Sequence, residues 1–394
     1  MSGDRPIVIA GAGIGGLTLA IALARQGLPS RVLERRSELA EAGAGIQIGP
    51  NAVGVLSRAG VAERLEPSVG KPECLRVHDG GSGQCLAELP LGDWIAKRHQ
   101  APYWVAHRAD LHAALLATAT ALPLIEITTA CEVVAFAPKA GGVEVRTADG
   151  SRYHGALLVG ADGIWSGIRK QLRPDFRLTY SGKTASRAVV DRADAPAPFR
   201  KMATGVWLSP AGHVVHYPVR GGHEIALVVI LKEGWPGEGW GLPVDQRQLI
   251  GRLGAFSDRL TAFLSSADDW RRWPLYDPEP LPRWSQGIVT LLGDAAHPVL
   301  PFLAQGGALA IEDAETLAAA IRMWRSEPAV AIDRYERARR PRAIRMQAAS
   351  RCNGLIYHLP KPASLARDLT LRAMPGQSLM ALYDWVYGWR PETL

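Results

Sequence analysis

Three groups of residues in this 394-residue chain have the types and spacing to do chemistry. The first is GAGIGG, where Gly11, Gly13 and Gly16 follow a short β-branched run from Pro6 to Ala10 and lead into the helix-like LTLAIALARQG. In that order Gly11 permits a tight turn, Gly13 lets backbone approach a pyrophosphate, and Gly16 lets the helix pack closely on the strand. Ile14 and Gly15 begin the helix, whose N-terminal N–H groups would face the phosphates. Glu34, at the end of the strand-like SRVLERR and 23 residues beyond Gly11, is placed to accept hydrogen bonds from both hydroxyls of an adenosine ribose. With Gly27 closing the helix between them, this reads as a dinucleotide site in which FAD and NAD are both open.

The second group is LLGDAAHPVLPFLAQGGALAIEDA, Leu291 to Ala314, which sets an apolar run, Asp294, a His297-Pro298 step and the Gly306-Gly307 pair ahead of a helical pattern. The third is GHVVHYPV. Strand alternation puts His213, Val215 and Tyr217 on one face and Val214 and His216 on the other, so His213 and Tyr217 can act together. Two further polar residues sit at helix starts. Gln47 lies in the glycine-rich stretch 40–50, just before the helix-like GPNAVGVLSRAGV, and Arg108 opens HRADLHAALLATA, where it can cap a neighbour or meet a phosphate.

The elements that must position these groups alternate strand and helix at the N-terminus. IEITTACEVVAFAP, GVEVRTADG and GALLVGADG read as a hairpin-rich insert that returns to a parallel sheet at Ala156 to Gly160, ending at Asp162 and Gly163. From about Gly182 to Leu231 strict alternation predicts a mostly antiparallel sheet. A helical stretch from Gln246 to Leu264 and a Trp/Pro-rich linker precede GIVTLLGDAAHP, another buried strand. The expected architecture is α/β: a discontinuous Rossmann-like domain over 1–75, 100–180 and 280–345, a β-rich substrate domain over 76–99 and 181–279, and a C-terminal helical segment over 346–394. The late aromatics Tyr383, Trp385, Tyr387 and Trp389 read as core or dimer packing.

Composition narrows the class. A 47% hydrophobic content suits a soluble globular chain, and the longest apolar stretches fall well short of the roughly 20 residues that cross a bilayer. The glycine-broken N-terminus makes better sense as a strand than as a signal peptide, which predicts a cytoplasmic protein. Cys74, Cys85, Cys131 and Cys352 show no metal-ligand spacing, so neither zinc nor disulfides are expected. The net charge of +7 is dispersed except in DRYERARRPRAIR, which reads as a helix with one solvated face and not as a nucleic-acid site; a positive field would still draw in anionic cofactors and substrates.

With GAGIGG, GADGIWSGIR and GDAAHP in order along one chain, the sequence resembles the single-component flavoprotein aromatic hydroxylases, of the salicylate and 3-hydroxybenzoate hydroxylase type. The resemblance implies FAD, NAD(P)H and dioxygen, with a small aromatic substrate. It implies that Glu34 holds the ribose, that Arg35 and Arg108 lie near the adenosine and pyrophosphate, that Asp162 serves flavin and nicotinamide contacts, that Asp294 meets the ribityl chain, and that Gly306 and Gly307 present N–H groups to the flavin ring. A helix N-terminus there would favour the anionic reduced flavin, and His297 reads as part of the turn beneath it. The expected reaction is hydride transfer from NAD(P)H to FAD, oxygen capture as a flavin C4a-hydroperoxide, and hydroxylation of a phenolic or heteroaromatic, carboxylate-bearing ring. His213 and Tyr217 match the pair that orients and deprotonates the hydroxyl in the 3-hydroxybenzoate and 6-hydroxynicotinate enzymes. The chain departs from these at Pro301, where the former have Gln, and at Phe302, where the latter have His, so a more apolar pocket rim is expected.

Other readings leave residues unexplained. A plain NAD(P)-dependent dehydrogenase accounts for the first turn but gives GDAAHP and Gly306-Gly307 no role. A flavin epoxidase or a hydroxylase of a non-phenolic compound has less use for His213. A non-catalytic FAD-binding redox sensor would turn over NAD(P)H poorly with every aromatic. Among partners, a homodimer is compatible with the sequence.

Overall fold

The computed structural model describes residues 5–39, 45–235 and 239–391, so residues 40–44 of the glycine-rich cofactor-side loop lie outside the described residues. A five-stranded parallel sheet runs in the order Val289–Leu291, Leu158–Gly160, Ile7–Ala10, Ser30–Leu33, Ile125–Thr128. Ile7–Ala10 is buried at every position, as expected of a central parallel strand covered on both faces. The helix Ile14–Ala24 is apolar nearly all round because it too is covered on both sides. A Cβ on Gly16 would lie 2.0 Å from the carbonyl oxygen of Gly11, and one on Gly15 would lie 2.5 Å from Leu292 Cδ2 and 3.3 Å from Ala310 Cβ. These two glycines therefore let the helix seat against its own turn and against the helix Gly306–Met323.

The insert divides differently from its sequence reading. Ile125–Thr128 pairs in parallel with Ser30–Leu33 and so extends the first sheet, whereas Val133–Lys139, Gly142–Thr147 and Arg152–Gly155 form a separate three-stranded antiparallel sheet. The largest sheet has eight strands, in the order Leu242–Pro243, Arg271–Tyr276, Tyr180–Asp191, Glu224–Lys232, Gly212–Val219, Ala203–Ser209, Cys74–Asp79, Cys85–Pro90. Its two faces feed different cores. Tyr217, Ala226, Val228 and Ile230 pack with Leu300, Phe302 and Leu309, while Val214, Leu227 and Val229 pack with Trp207, Phe263 and Trp270.

Two charged segments, the AIEDAETL end of the second group, whose pattern predicts an ordinary amphipathic helix, and the arginine-rich run, meet in the interior. Glu312 and Asp313, in the helix Gly306–Met323, are 0% exposed, so AIEDAETL is not an ordinary amphipathic turn. Their partners come from the arginine-rich run. Arg339, 1% exposed, donates from Nε to Asp313 Oδ1 at 2.7 Å and from Nη2 to Glu312 Oε2 at 2.6 Å, and Arg342 donates from Nε to Glu312 Oε2 at 2.7 Å. That run lies in one helix, Pro328–Tyr357, with Pro341 inside it, so the expected division after residue 345 falls within a continuous element. The ion pairs on either side of Pro341 hold the turn that proline weakens. Trp385 and Trp389 pack over Arg345 and Arg342, and Tyr387 is buried against Tyr103. The four cysteines are free thiols, and among the described residues no helix is long and apolar enough to cross a membrane.

Candidate active site

A cavity of about 660 Å³ begins at the carboxyl ends of the parallel strands and runs to the eight-stranded sheet. Its near end is the first turn. Gly11 has φ +106°, and a Cβ there would come within 2.5 Å of the Ala161 carbonyl oxygen, so only glycine lets this turn lie against the loop that carries Asp162. Nothing lies within 4 Å of the Cβ position of Gly13, which leaves backbone open to the cavity. Glu34 is oriented by backbone: its Oε2 accepts from Ala12 N–H at 2.8 Å and its Oε1 from Arg36 N–H at 3.0 Å. Arg35 and Arg108 line the same end. His112, which the sequence reading passed over, pairs its Nε2 with the Ala12 carbonyl at 2.8 Å and fixes the turn from below.

Asp162 and Asp294 both line the cavity. Asp162 Oδ2 accepts from Ile168 N–H at 3.1 Å, whereas Oδ1 is buried with no partner, and burial raises the carboxyl pKa. Asp294 is exposed to the cavity while protein surrounds it, so desolvation raises its pKa against the pull of His297, Arg108 and Arg169. Arg169, from the GADGIWSGIR motif, joins the two loops: its Nη1 donates to the carbonyls of Asp294 at 3.1 Å and Ala295 at 2.9 Å, and its Nη2 to that of Ile164. Burial lowers its pKa to about 10, which still leaves it charged at neutral pH.

Beyond Asp294 the chain is held from behind. His297 Nε2 meets Asp313 Oδ2 at 2.5 Å, and the same oxygen accepts from Gly293 N–H at 3.2 Å. Burial would raise Asp313, but His297 and Arg339 outweigh it and hold the carboxyl at about 2. His297 is thus buried in a structural network. Asn51 donates to Glu312 Oε1 at 2.6 Å and to Gln305 Oε1 at 3.0 Å, which extends that network to the residue preceding Gly306. The Cβ position of Gly306 is 4.0 Å from Asp294 Oδ1, so the N-terminus of this helix abuts the cavity. A Cβ on Gly307 would lie 2.7 Å from Ile46 Cδ1.

Other sequence candidates stand behind the cavity wall. Ile14, Gly15 and Gly16 are packing residues of the turn, and Gln47 accepts from the hydroxyl of Tyr103. Pro301 lines the cavity, but Phe302 is turned away, its ring 5.2 Å from that of His213. His213 and Tyr217 are 1% and 4% exposed on the sheet face that packs under the segment 299–303. Burial drives the His213 pKa well below 6.5, with His358 and Lys183 acting the same way, and raises Tyr217 to about 12. His216 points the other way, into Phe199 and Phe263.

The sequence reading missed Arg187. Through the register Arg187↔Val228↔Val215, its side chain rises from the face that carries His213 and Tyr217, and it lines the far end of the cavity with Trp273 and Leu275. Its guanidinium lies 5.2 Å from the Trp273 ring centroid, and among the described residues no carboxylate pairs with it. A charged residue amid the alternation of ASRAVVD was the available signal.

The profile of the FAD binding domain family matches residues 4–350. The chain is 38% identical to 3-hydroxybenzoate 6-hydroxylase 1 of Aquipseudomonas alcaligenes, covering 97% of each, and 36% identical to 3-amino-4-hydroxybenzoate 2-monooxygenase PtmB3 of Streptomyces platensis, covering 98% of this chain and 97% of that one. Its fold superposes on a salicylate hydroxylase substrate complex with a TM-score of 0.84 at 24% identity, over 99% and 97% of the two chains. Klebsiella pneumoniae HpxO complexed with FAD and uric acid superposes with a TM-score of 0.83 at 25% identity, over 97% and 96%.

Proposed function

The chain belongs to the FAD-binding-domain family of flavoprotein aromatic hydroxylases, and from that membership we propose that it hydroxylates a phenolic or heteroaromatic acid whose carboxylate is held by Arg187. The residues present fit the cofactor: Gly13 leaves open backbone, Asp162 Oδ1 is buried with no partner among the described residues, and Asp294 lines the cavity beside the helix end at Gly306. Glu34, Arg35 and Arg108 would hold the adenosine and pyrophosphate end, and Asp294 the polyol. Bound FAD supplies the redox chemistry, taking reducing equivalents from NAD(P)H and activating O2 for transfer to the ring.

The observation that carries the substrate class is the unpaired guanidinium of Arg187 on the face shared by His213 and Tyr217. His213 and Tyr217 lie four steps apart along the strand, about 13 Å, so they serve two ends of one substrate and not one hydroxyl together. Tyr217, kept as a hydroxyl by its raised pKa, lies near Arg187 and joins it at the carboxylate. His213, kept neutral by burial, lies behind Phe302 and takes the other end once that ring rotates aside, when an unprotonated imidazole nitrogen can accept the phenolic proton. The phenolate attacks an electrophilic oxygen far better than the phenol.

The test is oxidation of NADH and NADPH by the flavoprotein over a panel of 2-, 3- and 4-hydroxybenzoates and hydroxynicotinates, with hydrogen peroxide and hydroxylated product quantified together. An acid that accelerates oxidation and appears as product with little peroxide establishes the reading. Turnover of no panel member, or equal turnover of each acid and its primary amide, refutes it.

A further inference from the structure

His213 has one polar partner among the described residues, and it is another imidazole. Its Nδ1 lies 2.9 Å from Nε2 of His358, with the ring centroids 5.1 Å apart and the planes inclined at 35°. The remaining edges of His213 are closed by Phe302, at 5.2 Å, and Tyr357, at 5.1 Å. His213 is 1% exposed, whereas His358 is only half-buried and caps the C-terminal end of the helix Pro328–Tyr357. A donor-acceptor line therefore leads from the buried sheet face to the surface. The helix residue before it, Tyr357, is itself in contact with Phe302 through its hydroxyl, so His358 is fixed relative to the segment that roofs the site.

We propose that His213 and His358 form a two-imidazole relay that carries the substrate's phenolic proton from the buried site to solvent. This rests on the reading of His213 as the acceptor of that proton. The relay needs His213 to begin as the Nδ1–H tautomer, donating to His358 Nε2, so that its own Nε2 carries the lone pair that accepts the phenolic proton. The phenolic O–H bond breaks and the proton goes to His213 Nε2; the Nδ1–H bond of His213 breaks and that proton goes to His358 Nε2; the Nδ1–H bond of His358 breaks and its proton goes to water. Both rings end neutral with tautomers exchanged, and the net change is phenol to phenolate plus one proton in solvent. Passage of a proton inward as the product hydroxyl is restored resets them.

The surroundings suit a relay that carries protons without storing charge. Lys183, on the strand Tyr180–Asp191 two places along the sheet, acts on both rings, and Arg367, from the helix Ala363–Ala373, acts on His358; Arg367 is itself committed to Asp368 and to the carbonyls of Ile356 and Tyr357. Burial and these cations hold His358 at about 4. An imidazolium is thus disfavoured at both positions.

The experiment uses His358→Gln and His358→Asn holoenzymes with the hydroxybenzoate that the wild type turns over, mixed anaerobically while phenolate absorbance and proton release to a pH indicator are followed. The expected result is phenolate formation slowed about 10²-fold in both variants, at the lower end of what general acid–base groups contribute, with little change in substrate affinity, and recovery of the rate on adding free imidazole. A rate equal to wild type, or a loss that imidazole leaves untouched, overturns the relay. Failure of the wild type itself to form phenolate or product with any hydroxybenzoate instead overturns the reading of His213 on which it rests.

Discussion

Arg187 is a cation in the middle of a strand, buried by protein on the sheet side and open to the cavity on the other, and its chemistry there is recognition of an anion. A charge-assisted hydrogen bond contributes about 1.5–3 kcal/mol, so Arg187→Met should raise KM for the acid roughly 10- to 100-fold while altering KM for the corresponding amide little; steady-state kinetics with both compounds check this. Tyr217→Phe should cost less, about 1 kcal/mol, because one neutral donor is lost. Arg339 is the converse case, a cation already committed to two buried carboxylates. Arg339→Met should destabilise the fold by about 3–5 kcal/mol through the charges left behind, which urea unfolding of the holoenzyme would show. Asp313 adds a pH signature. Its folded pKa, about 2, lies below the ordinary 3.8, so its contribution is complete above about pH 4 and is lost as pH falls through about 2; Asp313→Asn should flatten that limb of the stability profile.

At the scale of the element, the first helix is defined by what its glycines approach. A Cβ on Gly16 meets a backbone oxygen that cannot move without opening the turn, whereas a Cβ on Gly15 meets the end of a leucine side chain that can rotate. Gly16→Ala should therefore abolish retention of FAD, and Gly15→Ala should cost about 1–3 kcal/mol, the usual range for overpacking, with flavin retained; flavin absorbance after gel filtration separates the two. These glycines, Glu34 and Asp294 were legible in sequence because each lies within or beside an element whose own pattern declares it. The helix Gly306–Met323 was not. Its carboxylates follow the spacing of a solvated face, and only Arg339 and Arg342, 26 to 30 residues downstream on another helix, make them interior. Ile125–Thr128 was misplaced for a related reason: a short apolar strand carries no mark of which sheet it will join.

At the scale of the whole molecule, one open cavity joins loops from both ends of the chain to the eight-stranded sheet. Saturating FAD should therefore stabilise the protein globally, by about 2.7 kcal/mol at a hundredfold excess over Kd, measurable as a rise in Tm relative to apoprotein. The net charge of +7 should make association with anionic substrates salt-sensitive, so KM for an aromatic acid should climb between low and 0.5 M ionic strength more steeply than KM for its amide. The alternating strand and helix pattern, the return to the first sheet and the β-rich sheet between were all present in sequence periodicity. The depth at which His213, Tyr217 and Phe302 sit was not, because alternation assigns a face of a strand and says nothing of what is laid over it.

The helix Pro328–Tyr357, 30 residues and about 45 Å long, grips what is laid over it at successive turns. Tyr335 bonds the carbonyl of Leu291, Gln347 that of Pro298, Ser350 that of Leu300 and Asn353 that of Phe302, while Arg351 pairs with Asp277 at the end of a strand of the large sheet. A single rod thus holds the backbone at Leu291, Pro298, Leu300 and Phe302 and ties it to the eight-stranded sheet. Among the described residues these bonds tie the stretch 291–302 down at several points along its length. Trp165 and Trp240 meet edge to face at the cavity, and rates of substrate and product exchange should respond to substitutions there while remaining indifferent to those along the rod's outer surface.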